Sequence, residues 1–214
     1  MKVVINNMAS SVIHMAVASE INKKIKADES KILIGSIAPD ISKLIGETKE
    51  KTHFLETKKD IPNLEKFLKK YKKNLNDSFV LGYYIHLFTD YLWFKYFLPG
   101  IYNKNLIAKL DGSVVSCTEE MALLYIYNDY TNLNIKLIDK YNLNLKIFYN
   151  SIPKIDNIID EIKMDKLFLV VNKAGEIIIN SKKHKEMLFN MEYVNHFIDL
   201  CVNIILDDLR NYIF

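Results

Sequence analysis

The chain has 214 residues, half of them apolar and 12% aromatic, which excludes a disordered or fibrous protein and allows one sizeable core. Lys and Arg number 29 against 26 Asp and Glu, and the net charge of +3 is too small to call for a nucleic-acid partner. Arg210 is the sole arginine, so no sequence-specific nucleic-acid binding is expected, because base readout relies on bidentate guanidinium contacts.

Cys117 and Cys201 form no CxxC pair and indicate no disulfide framework. The opening residues lack a long apolar stretch and a small-residue cleavage site. That predicts a cytoplasmic protein, with Met8 as an alternative start.

Gly (6) and Pro (4) are scarce, as suits helices joined by short connections. Ser10 is an N-cap candidate, and Val12, Ile13, Ala16, Val17, Ile21 and Ile25 form a stripe at helical spacing, predicting a first helix over 10–26. A short apolar helix over 31–38 must stop before Pro39, because a residue preceding proline avoids the α region. Residues 46–60 read as a polar loop. A helix starts near Pro62, and another spans 79–97. Residues 103–110 read as a short helix ended by the turn Asp111-Gly112. A long helix follows over 119–141, then helical stretches over 144–150, 155–180 and 185–213. No strand alternation persists, so the expectation is an all-α single domain, a helical bundle over 1–214.

The apolar run 79–98 has the length of a membrane span. His86, Asp90 and Lys95 inside it make insertion expensive, so no transmembrane segment is expected and the run reads as a buried core helix. His86 and Asp90 stand four residues apart, on one helix face. A buried imidazole and carboxylate need partners. One reading is a core histidine bonded to a carbonyl; the other is a pair of metal ligands, since zinc-type sites combine imidazole nitrogen with carboxylate oxygen. His14 on the first helix, Asp40 after Ala38-Pro39 and His53 in the polar loop extend the set. Taken alone, His14 reads as a boundary histidine, Asp40 as an N-cap and His53 as a solvated side chain. His184, among lysines, reads as surface, and His196, beside Val194, Phe197 and Ile198, as a core or boundary residue. The nine lysines between Lys49 and Lys73 read as a solvated face that could also steer an anion.

The ordered motifs Ser11-Val12-Ile13-His14, Gly35-Ser36-Ile37-Ala38-Pro39-Asp40, Thr52-His53-Phe54 and Gly82-Tyr83-Tyr84-Ile85-His86-Leu87-Phe88-Thr89-Asp90 resemble the bacterial zinc-dependent phospholipase C family. That family is akin in fold to the single-strand-specific zinc nucleases. The resemblance covers about the first hundred residues. It implies an all-α bundle in which Asp40, His53, His86 and Asp90 hold one zinc, with Asp90 bridging to a second ion that His14 helps to bind. Asp40 would double as the catalytic base beside the attacking water.

The chain also departs from the family. The secreted members begin with a metal-binding tryptophan that has no counterpart here, and their later His-x-x-x-Glu motif is missing: Leu200 stands four residues after His196. Asp129 is the nominated substitute carboxylate, with an exposed helix acid as its plain reading.

The function implied is metal-dependent hydrolysis of a small anionic phosphate ester, lipid-derived esters included. The alternative is a non-catalytic cytoplasmic helical binding or regulatory domain that retains a metal site. An HD-type phosphohydrolase is disfavoured, because the chain has no His-Asp dipeptide.

Overall fold

The computed structural model describes residues 9–58 and 60–213; the alternative start at Met8 and Lys59 of the lysine run lie outside them. Helix α1 (Ser11–Ile25) begins where Ser10 Oγ accepts the Ile13 N–H, and it ends in a left-handed Lys26. Asp28 caps α2 (Glu29–Gly35). A 3₁₀ segment, Ala38–Leu44, follows with Pro39 in its first turn. Where the sequence reads as a loop, a short α3 (Lys49–Thr52) forms. Next come α4 (Leu64–Tyr71) and α5 (Ser78–Leu92), the latter capped by Asp77, whose carboxylate accepts two N–H groups. Helix α5 runs on as a π-helical turn, Trp93–Phe97, into α6 (Leu98–Ile101).

Residues 103–110 are not helical. They belong to a three-stranded antiparallel meander of β1 (Tyr102–Asn103), β2 (Leu106–Ala108) and β3 (Val114–Ser116). The reason is local. Lys104 and Asn105 both take positive φ, 49° and 64°, in the two-residue loop between β1 and β2. That is the loop geometry whose twist matches a hairpin, and asparagine tolerates it. Gly112, at φ 83°, turns the chain again before β3.

Helix α7 (Glu119–Tyr141) matches its expected span. Of the stretch 155–180 only α8 (Leu167–Ile179) is a regular α-helix. The chain before it is pinned to α4 instead: Tyr71 OH donates to Glu161 at 2.5 Å and accepts the Asp160 N–H at 3.0 Å. Helix α9 (Met191–Leu209) starts at its Asn190 cap, later than residue 185. Among the described residues no helix is long and apolar enough to cross a membrane.

Helix α5 is buried on nearly every side and is packed by α1, α2, α4 and α9. Buried apolar side chains form a continuous core from Ala9 to Leu209. The tightest contact in it is the crossing of α2 and α5. A Cβ on Gly82 would lie 2.2 Å from the Ile32 carbonyl oxygen, and one on Gly35 would lie 2.3 Å from that of Phe79. Both distances are below contact, so the two backbones touch because neither position carries a side chain. Gly82→Ala is therefore expected to cost roughly 1–3 kcal/mol through overpacking, measured by urea or thermal unfolding. Wild-type stability in that variant would contradict the crossing.

Candidate metal centre

The tight α2–α5 crossing brings the end of α2 against the middle of α5. There His86 Nδ1 lies 2.7 Å from the Ser36 carbonyl oxygen. A carbonyl only accepts, so Nδ1 carries the hydrogen and Nε2 is turned to the interior. One turn on, Asp90 divides its oxygens. Oδ1 lies 3.3 Å from His14 Nε2 of α1 and accepts the Ala9 N–H at 3.2 Å. Oδ2 lies 3.4 Å from His86 Nε2 and 3.8 Å from His53 Nε2.

His53 follows α3 directly and is 1% exposed, not solvated. Two features turn it inward. Phe54 takes a left-handed φ of 54° and buries its ring edge-on against Phe67. Thr52 holds the other side: its Oγ1 is 2.9 Å from His53 Nδ1, and its carbonyl accepts the Tyr83 hydroxyl at 2.5 Å. His53 Nε2 then faces His86 Nε2 at 3.2 Å, while the His14 ring stacks on His86 at 3.8 Å between centroids.

Asp40 enters from the 3₁₀ segment, inside it and not as its cap. Its Oδ1 is buried without a hydrogen bond. The five side chains form two donor triads, His14–His86–Asp90 and Asp40–His53–His86, in each of which the ligand atoms lie within 4.8 Å of one another.

The donors fit a divalent ion. Bonds of ~2.0–2.1 Å in a tetrahedral zinc site put neighbouring ligand atoms roughly 3.3 Å apart. The contacts between His86 and His53, His14 and Asp90, and His86 and Asp90 span 3.2–3.4 Å. Both nitrogens of His14, Asp40 Oδ1 and Asp90 Oδ2 are buried without hydrogen bonds, a costly arrangement unless a cation meets them. The carbonyl behind His86 is the kind of outer contact that orients a metal-binding imidazole.

Residues 8–106 match the family model described as zinc dependent phospholipase C. The match supports the zinc-dependent phospholipase C family for this part of the chain. All five donors of the two triads fall inside it, whereas α7, α8 and α9 lie beyond it. No curated protein and no solved structure gave a significant match to the chain.

The electrostatics of the donor cluster follow from burial and proximity. Burial, with the His86 ring alongside, pushes His53 down to about 3 and lowers His14 as well. Burial also opposes a charge on His86, but the Asp90 carboxylate outweighs it and raises this histidine above its ordinary 6.5. Asp90 is held well below the usual carboxylate range: burial works against its charge, and His14 and His86 overcome it. Asp40 is lowered because Lys43, His86 and His53 together outweigh its burial.

Other histidines and acids stay outside the family region's donor set. His184 is exposed, as expected, but His196 is exposed too and not a core residue. Asp129 is neither an exposed acid nor a substitute ligand. It is fully buried, and its carboxylate accepts the N–H groups of Met187, Leu188 and Phe189 at 2.6–3.2 Å. The sequence reading missed the supports: the Ser36 carbonyl, Thr52, Tyr83 and Lys43. Thr52, Ser36 and Tyr83 stood in the resembling motifs beside the donors, and nothing local marked Lys43, whereas Lys49 belonged to the lysine run read as a solvated face that could steer an anion.

Protein purified without chelator is expected to carry at least one zinc per chain by elemental analysis, and His86→Ala and Asp90→Ala to carry none. Zinc competes with a proton for His86 Nε2, and that histidine is raised above 6.5. Apparent affinity should therefore already be falling above pH 6.5, and drop about tenfold per pH unit below the His86 pKa. A metal-free wild type at pH 8 would overturn the donor assignment.

Proposed function

We propose that the chain is a zinc-dependent phosphate-ester hydrolase of the phospholipase C kind. The observation that carries the reading is the position of Asp40. It alone among the five donors also lines a cleft of about 440 Å³, formed with Ala9, Ser10, Lys43, Tyr127, Tyr130 and residues of α8. The reactive end of a bound ester can thus meet the donor cluster while its organic part stays in the cleft.

His14, His53, His86 and Asp90 are the residues that would hold the metal, with Asp40 at the cleft side. A divalent ion in this set supplies Lewis-acid polarisation of a phosphoryl oxygen and activates water near neutral pH. Asp40 Oδ1 is an ionised acceptor on the cleft side, lowered by Lys43, whose Nζ stands 3.7 Å away. It would take a proton from the attacking water as that oxygen bonds to phosphorus; the P–O bond to the alcohol then breaks, and the departing alkoxide takes up a proton from Asp40 or solvent. Tyr130 and Val170, both buried apart from their cleft faces, keep bulk water from the organic part. The printed family description names a phospholipase, so lipid-derived esters are the first substrate class to test.

The test is turnover of p-nitrophenyl phosphate, bis-p-nitrophenyl phosphate and phosphorylcholine esters by zinc-loaded protein. Asp40→Asn should keep a metal ion and lose about 10²–10⁴ in kcat, the usual contribution of a general base. Zinc-loaded wild type that turns over none of them would favour the non-catalytic binding domain instead.

A further inference from the structure

The cleft is walled on one side by α7 and α8, where Thr131, Asn134 and Glu176 bring polar atoms to it. Asn134 is fully buried, and its Oδ1 has no hydrogen bond among the described residues. The other amide atom is committed: Nδ2 donates to Ser181 Oγ at 3.1 Å. A flipped amide would not fit. Ser181 has one hydroxyl hydrogen, which goes to the Ile177 carbonyl at 3.0 Å, so towards Asn134 its oxygen only accepts. The bare atom is therefore a carbonyl oxygen, and only a donor can satisfy it.

The neighbouring groups share this bias. Thr131, one turn before Asn134, gives its hydroxyl hydrogen to the Asn128 carbonyl at 2.9 Å and keeps lone pairs alone. Lys173 is turned to the Glu176 carboxylate at 3.0 Å, and the pair leaves this part of the cleft electrically balanced. A neutral group that donates hydrogen bonds matches such a wall better than a cation or an anion. Both helices lie beyond residues 8–106, outside the part of the chain that matches the family.

Resting on the reading that the organic part of a bound ester lies in this cleft, we propose that Asn134 Oδ1, with Thr131 Oγ1 beside it, is a subsite for a hydroxyl of that organic part. The ligand class is a phosphate ester whose organic part carries a free hydroxyl, favoured over its plain alkyl counterpart. Selectivity follows from burial. An alkyl group entering beside Asn134 would exclude water without replacing its hydrogen bond, and a buried acceptor left bare is costly.

The experiment is calorimetric titration of zinc-loaded protein at pH 7 with the methyl esters of propylphosphonate and 2,3-dihydroxypropylphosphonate. Both carry the single charge of a phosphodiester, and they differ only in the hydroxyls. The dihydroxy ligand should bind about fivefold tighter, the net worth of one hydrogen bond. Asn134→Leu should bring that ratio to about one, and Thr131→Val should lower it. Asn134→Asp keeps an acceptor and should keep the preference. Taking the ratio within each variant cancels any loss of affinity that both ligands share. A ratio of about one in the wild type, or an unchanged ratio in Asn134→Leu, would overturn the subsite and leave the hydrolase reading to its own turnover test. If Asn134→Leu does not fold, an unchanged ratio in Thr131→Val overturns it. A zinc-loaded wild type that binds neither ligand would overturn both.

Discussion

Helices α2 and α5 touch backbone to backbone at Gly35 and Gly82, and the candidate centre depends on that contact. One residue past Gly35, the Ser36 carbonyl meets His86; one turn past Gly82, His86 presents Nε2 to the interior. A hydrogen bond of 2.7 Å across the crossing fixes both the ring orientation and the tautomer. Had either glycine carried a side chain, the helices would part and the ring would lose its anchor. The position of Asp90 follows without further help, since it shares the α5 face and already faces His14 of α1.

Three imidazoles and two carboxylates gathered this closely are costly in an apolar core. The chain spends stability on the arrangement: Phe54 sits in a left-handed conformation that disfavours a bulky residue, and buried nitrogens and oxygens lack hydrogen bonds. Surrounding rigidity holds it in place. Tyr83 fastens Thr52, Thr52 orients His53, and aromatic rings of Phe67, Tyr71 and Phe54 fill the space behind. Such strain concentrates where a ligand is meant to relieve it.

The half of the chain beyond residue 106 builds the other wall. Helix α7 brings Tyr127 and Tyr130 to the cleft, and α8 brings Val170, Ala174 and Ile177. Asp129 on α7 secures this wall by gathering three successive N–H groups of the extended segment before α9. A buried carboxylate invites reading as a ligand, yet these oxygens are already occupied by backbone N–H groups. The donors come from one half of the chain and the cleft from both, which separates the chemistry from the shape that selects a substrate.

Much of this was legible in the residues. Ser10 marks the first helix start because capping is a local contact, and the donor types appear in order with His86 and Asp90 one turn apart. The meander escaped notice because positive φ at Lys104 and Asn105 overrides the apolar pattern around it. His53 looked solvated because its neighbours in sequence are charged, while its neighbours in space are Thr52, His86 and Asp90. His196 looked buried for the converse reason: it sits between core residues but on the outer face of α9.

Short-range patterns of spacing, capping and residue type thus outlined most of the helices, and the resemblance carried by their ordered motifs picked out the five candidate donors. Only the tertiary structure decided that His86 belongs to both triads and that Asp129 is a backbone clasp. Those outcomes depend on contacts between segments far apart in the chain, and no local spacing encodes the distance between two helices.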